Sequence, residues 1–383
     1  MGRRYGLPAL LGLTLLLAWG YPLRERMLSG ENDFLQLYAG ARLVGTPQLY
    51  DPEASYQITR KLTASGAHYP GIYYTRLPYY AWLLRPLGAL PYRWAYAIFQ
   101  ALSLTLVAAF LLLYVRQFPE LMVLAAMSVP LLINFANGQD VGLTVALAAF
   151  SFYLAPRRPF LAGLLLSLCT IKFHLFLLVP VAVLLHRQWR YLAGAITGCA
   201  SLFLLSTVAA GWAWPGEFAT LLSRGDLHTD LGRMPAWRGF VAALTGGDSW
   251  AIEAPLSAAT ILLFAFIAWK QRDFPVVLSL ATIASLLVSH HAYAQDLLVV
   301  LLAAAVVGAR RVSPRLRTAL FIVALPPTVL LIFAGPPYSA AVPLLLLSLL
   351  ALSAADAYYG EKRPPRGDTT TGTGLHPGPA AHG

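Results

Sequence analysis

Acid is scarce in this chain: 17 Asp and Glu stand against 28 Lys and Arg in 383 residues, and all charged types together make up 12%. With 58% of residues apolar, a soluble domain of this length could not hide its apolar surface, so the chain reads as a bilayer protein. Cysteine is nearly absent. Cys169 and Cys199 both fall inside apolar runs, where they act as small hydrophobes and offer no disulfide framework. No Gly-x-x-x-x-Gly-Lys loop, dinucleotide fingerprint or Gly-x-Ser-x-Gly elbow occurs, which removes the common nucleotide-binding and serine-hydrolase readings. Adjacent histidines do not share a helix face and no His-x-x-Glu-His set occurs, so no metal is assigned. No internal repeat supports an inverted-repeat transporter. The net charge of +11 comes from short basic clusters between apolar runs, a topology signal and not a nucleic-acid footprint.

What is abundant is long apolar sequence. Runs cover about 7–23, 93–115, 120–136, 140–155, 159–171, 174–187, 191–212, 254–270, 274–290, 294–309, 317–334 and 338–356, which predicts an all-α polytopic membrane protein with about twelve transmembrane helices. The first run follows Arg3-Arg4 but lacks a small-x-small cleavage site before Arg24-Glu25-Arg26, so it reads as an uncleaved span. Several runs are shorter than the ~20 residues of a perpendicular span, which is tolerable where helix ends line a protein cavity.

Threaded alternately, the runs put Arg3-Arg4, Arg116, Arg157-Arg158, Arg187, Arg190, Lys270, Arg272, Arg310-Arg311 and Lys362-Arg363 on one side. The positive-inside rule makes that side the cytoplasm, with both termini in it. Two longer segments, about 24–92 and 213–253, then face outward. The first reads as interfacial amphipathic helices around Phe34, Tyr38 and Ala41, with a break at Gly45-Thr46-Pro47; Trp212, Trp214, Trp237 and Trp250 in the second fit an aromatic belt. Residues 1–359 form one transmembrane domain in this reading. Residues 360–383, rich in Gly, Pro and Thr, read as a disordered cytoplasmic tail.

Polar residues at span ends are costly to keep and are candidates for a site. They are Asp33, Gln139, Lys172, His174, His290, His291 and Asp296, and the threading puts all of them on the outer side. Each has a plain alternative. Asp33 is a suitable helix cap, Asn137-Gly138-Gln139-Asp140 a suitable tight turn, Lys172 can snorkel to the interface, and the histidines can sit against helix-end carbonyls. Together they suit a lipid-borne anionic substrate approached from the membrane.

The run Asn32-Asp33-Phe34-Leu35-Gln36-Leu37-Tyr38-Ala39-Gly40-Ala41-Arg42, followed by Leu49-Tyr50-Asp51, resembles the first outer loop of glycosyltransferase family 87. The resemblance continues through Tyr74-Thr75-Arg76-Leu77-Pro78, Asn137-Gly138-Gln139, Ala162-Gly163 with Lys172, Met234-Pro235-Ala236-Trp237-Arg238-Gly239, and His290-His291 to Asp296. It implies a GT-C-type fold in a bacterial plasma membrane, an extracytoplasmic site, and inverting transfer of a hexose, typically mannose, from a polyprenyl-phosphate carrier. It also implies Asp33 as catalytic base and a site completed by Tyr38, Arg42, Arg76, Asn137, Gln139, Lys172, His174, Arg238, His290, His291 and Asp296. The expected partners are the polyprenyl-phosphate sugar donor, a lipid or glycan acceptor and membrane lipids; no cofactor and no metal is expected. Where the family often has Ser-Pro-His, this chain reads Ser289-His290-His291 without proline, so both histidines stay candidates. A flippase of lipid-linked sugars is the competing reading. It calls for polar residues at mid-span depth, whereas here they gather at span ends. A non-catalytic scaffold in an envelope complex is the third.

Overall fold

A computed structural model describes residues 2–62, 73–223, 230–310 and 312–361, and all regular structure in them is helical. Five helices are long and apolar enough to cross a membrane: Tyr92–Val115, Pro159–Phe176, Trp189–Ala210, Trp250–Lys270 and Tyr338–Tyr359. Two bent pairs, Gly6–Leu15 with Gly20–Leu43 and Pro314–Val323 with Pro326–Ala334, raise the number to seven if each counts as one span. Counted this way, the spans fall short of the dozen expected, because several apolar runs fold as shorter or broken helices. The 120–136 run divides at Ser128, whose Oγ accepts from Leu131 N–H at 3.4 Å to start Val129–Ala136 with Pro130 in its first turn.

The shorter apolar helices are inside. Phe274–Val288 is buried from Phe274 to Leu287 and Leu298–Gly308 along its whole length, as apolar-all-round helices must be. The long helices lie outside them and keep exposed apolar faces, as at Leu104, Leu112, Ile196, Val208, Leu262 and Trp269, where lipid takes the place of water. An enclosed helix need not match the bilayer, which is why 15 residues suffice in the middle. Pro159–Ser167 lies against Trp189–Ala210 so closely that a Cβ on Gly194 would come within 2.0 Å of the Phe160 carbonyl oxygen.

The first outer segment differs from its expected form. In the Phe34–Leu43 helix only Gln36 and Arg42 escape burial, so it is enclosed by protein on nearly every face and is not a one-sided interfacial helix. It packs on Pro78–Gly88, where Gly40 gives room to the Tyr74 ring. The last helix runs on to Glu361; the rest of the expected tail, like Arg311, lies outside the described residues.

Candidate active site

The chain turns at Gly30, with φ of +68°, and enters Phe34–Leu43 through Asn32 and Asp33. Asn32 does the local ordering: its Oδ1 accepts from Phe34 N–H at 3.1 Å and its Nδ2 donates to Tyr96 Oη and the Ala136 carbonyl. Asp33 is not a capping side chain. Its backbone is helical, and no hydrogen bond runs from the helix start to its carboxylate. Instead Gln139 Nε2 donates to Asp33 Oδ2, while Asp33 N–H donates to the Asn137 carbonyl at 3.0 Å. The Asn137–Asp140 turn is a turn, with Gly138 at φ +59° and Asn137 ending the Val129–Ala136 helix. It is also the dock for Asp33.

From Gln139 the polar contacts continue into a buried ion network. Asp140 faces Arg76 Nε at 2.8 Å and Lys172 Nζ at 3.8 Å, and Lys172 donates to Asp296 Oδ1 at 3.2 Å. Burial works against the Arg76 charge, but Asp140 more than restores it, so the guanidinium stays protonated. Thr75 connects this arginine to Gln36, one turn beyond Asp33, by accepting from Arg76 Nη1 at 2.8 Å and donating to Gln36 Oε1 at 3.1 Å. Lys172 is 5% exposed and therefore does not snorkel. It sits at a break, φ −128° and ψ 59°, within the 3₁₀ stretch Leu168–Phe176, which turns its ammonium inward to the two carboxylates. Asp296 also accepts Tyr293 N–H at 2.8 Å, which fixes the chain entering the Leu298–Gly308 helix.

The histidines take different places. His174 Nε2 lies 3.8 Å from Asp296 Oδ2, and its ring meets that of His291 edge to face at 6.0 Å. His290 is exposed and its Nδ1 lies 3.4 Å from Glu253 Oε1, a carboxylate that is itself buried. Arg238 donates to the His290 carbonyl at 3.1 Å and is paired through two hydrogen bonds with Asp248. Asp33, Arg76, Gln139, Lys172, His174, His291 and Asp296 thus form one connected series, and Arg238 with His290 adjoins it through the 290–291 backbone. Tyr38 and Arg42 stand apart: Tyr38 Oη donates to the Leu90 carbonyl at 2.8 Å, and the exposed Arg42 donates to Tyr38 Oη at 3.4 Å. Asn137 enters through its backbone carbonyl.

Three acids complete this picture that local sequence did not single out as site residues. Asp140 was visible only as a turn former, and Glu253 and Asp248 carried no local signal because their partners are distant in the chain. Among the described residues no group of three or more His, Cys, Asp or Glu is arranged to hold a metal ion.

A helix bundle with apolar outer faces and a buried polar network near helix ends marks a membrane protein. The chain belongs to glycosyltransferase family 87, whose model matches residues 74–290, and the protein is a membrane glycosyltransferase. The matched stretch includes Arg76, Gln139, Asp140, Lys172, His174, Arg238, Glu253 and His290; His291 and Asp296 follow its end, and Asp33 lies well before its start. No curated protein and no solved structure matches the chain.

Proposed function

We propose that the protein moves a hexose, mannose in the simplest case, from a polyprenyl-phosphate carrier to an acceptor hydroxyl outside the cytoplasm. One observation carries this reading: Asp33 is relieved of capping and held by Gln139 at the edge of a cationic network, half-buried and able to accept a proton. The acceptor O–H bond breaks toward Asp33 while the oxygen attacks the anomeric carbon. The bond from that carbon to the carrier phosphate oxygen breaks on the opposite face, so the centre inverts. His290 or His291, with Lys172 and Arg238 behind them, meet the leaving phosphate, where charge-assisted donors act most strongly. A monophosphate carrier does not call for the divalent ion that a diphosphate commonly recruits, so the chemistry runs on side chains.

In a GT-C-type arrangement the shorter and broken segments count as passes beside the long helices. Tracing them alternately gives about twelve crossings with both termini in the cytoplasm, in accord with the basic loops. A reporter fused at Arg157 is therefore expected to read cytoplasm and one at Asp51 the outside; the reverse pattern would put the site on the wrong side for this donor.

The direct test is incubation of the purified protein with labelled polyprenyl-phosphate mannose and a membrane lipid extract, followed by mass analysis of the products. A hexose-bearing lipid or glycan with an inverted anomeric centre is the expected result. Passage of the intact carrier across a vesicle bilayer, with no transfer to any acceptor, would favour the flippase reading.

A further inference from the structure

Glu253 is a buried acid, 4% exposed, in the first turn of the Trp250–Lys270 helix. A carboxylate out of water is costly unless a charge or a hydrogen bond compensates it. The positive end of the helix dipole offsets part of that cost, since acids are favoured in a first turn. The rest falls to His290. Among the described residues it is the basic group within ion-pairing distance, with its Nδ1 3.4 Å from Glu253 Oε1.

An ionised carboxylate accepts and cannot donate, so this contact is attractive only when His290 Nδ1 carries a hydrogen and donates it. That fixes the ring: Nε2, at the other edge, is turned away from Glu253, and the His290 side chain is 56% exposed. The Trp250 ring stands beside the imidazole, 6.5 Å between centres and edge to face. The backbone is held separately. Arg238 Nη1 donates to the His290 carbonyl at 3.1 Å, and Asp248 holds Arg238 through two hydrogen bonds. Ser289 Oγ accepts His291 N–H at 3.2 Å and donates to the His291 carbonyl at 2.8 Å, closing the turn on itself. His291 is packed differently, with its ring edge to face against His174 at 6.0 Å and Tyr293 at 4.8 Å.

We propose that Glu253 is a positioning residue of the transfer reaction: it accepts His290 Nδ1–H and so aims Nε2–H at the phosphate oxygen that leaves the anomeric carbon. The assignment rests on the hexosyl-transfer reading above. No bond to Glu253 forms or breaks; its carboxylate is buried and acts through the ring alone. A ring that donates from both nitrogens is an imidazolium, and a carboxylate on one edge with a phosphate on the other balances its charge. Negative charge building on the leaving oxygen then meets a donor already turned toward it, which is the arrangement that speeds such a step.

The first test needs no turnover. Purified full-length protein carrying nitrogen-15 histidine is saturated in micelles with undecaprenyl phosphate at about pH 7.5, a unit above the ordinary histidine value. Nitrogen shifts report which ring nitrogens bear a proton, and the His290 signals are identified by their loss in His290→Gln. In the parent both His290 nitrogens should be protonated with carrier bound, and in Glu253→Gln, which brings no charge, they should not. A singly protonated His290 in the carrier-bound parent overturns the proposal, and so does an unchanged spectrum in Glu253→Gln. Because the parent spectrum needs no variant at Glu253, misfolding of Glu253→Gln could not shield the proposal. The second test is a cycle in kcat/KM for transfer from polyprenyl-phosphate mannose. Glu253→Gln should lower it about tenfold to a hundredfold, the range found where a carboxylate orients a metal-bound imidazole. Added to His290→Gln, it should cost nothing further, since its effect runs through that ring. Losses that multiply would make Glu253 a structural acid and overturn the proposal, with the transfer reading left intact. A parent that transfers no polyprenyl-phosphate hexose overturns the transfer reading itself, and the assignment with it.

Discussion

Replacing Asp33 with Asn is expected to lower transfer by roughly a hundredfold to ten-thousandfold, the usual contribution of a positioned general base. The structure makes this substitution unusually clean. The Asp33 side chain caps nothing, so no helix start is lost, and an Asn oxygen still accepts the hydrogen bond from Gln139. Size and position are kept while basicity is removed. Donor binding, measured with labelled carrier, and thermal unfolding in detergent should both match the parent. Asp33→Glu should recover little, because the added methylene pushes the carboxylate toward Gln139 and out of line with the acceptor oxygen. Parental transfer rates in Asp33→Asn would reject the base assignment and with it the acceptor side of the mechanism.

The second large effect is expected on stability. Asp296 is fully buried and meets Lys172 at 3.2 Å, His174 at 3.8 Å and Tyr293 N–H at 2.8 Å. Asp296→Asn leaves the buried Lys172 ammonium with Asp140, at 3.8 Å, as its carboxylate partner among the described residues. Removing one partner of a buried pair costs about 3 to 5 kcal/mol when the remaining charge is left uncompensated, and Asp140, more distant and shared with Arg76, offsets only part of that here. Denaturation in mixed micelles should register that loss. Lys172→Met in the same chain should return part of it by removing the stranded charge, with a coupling of about 0.5 to 3 kcal/mol in the double-mutant cycle. Additive losses would show that the two side chains do not act as a pair.

The same geometry separates two kinds of cation. Arg76 and Lys172 are balanced by Asp140 and Asp296, so much of their charge is committed to holding helix ends together. His290 and His291 are the less enclosed donors, and the 290–291 loop is held from outside by Arg238 and Asp248. A substitution at Lys172 therefore changes the framework as well as any contact with phosphate, and its effect on donor use has to be read beside its effect on stability.

Much of this was legible in the residues themselves. Apolar runs of the right length announce a helical membrane protein, and Asp33, Gln139, Lys172, His174, His290, His291 and Asp296 stand out because polar groups in such a chain are few. Their ordered motifs pointed to the family. Local sequence misjudged their roles in particular ways. Asn and Asp both favour helix starts, so nothing in Asn32-Asp33 told which side chain orders the turn; the hydrogen bonds give that work to Asn32, while the Asp33 carboxylate accepts from Gln139. Tyr38 and Arg42 carry the motif but sit on a face of their helix that meets Leu90, not the ion network.

Composition and periodicity are properties of short windows, so the sequence by itself determined the solvent this protein lives in, its helical class and the polar positions from which a site is built. Pairing is a property of distance in space. Lys172 has no carboxylate near it in the chain and finds Asp296 across 124 residues; Arg76 finds Asp140 across 64, and Gln139 finds Asp33 across 106. Only the tertiary structure could decide those partners, because burying a charge is tolerable only where the packing of distant helix ends has already brought its counter-charge within reach.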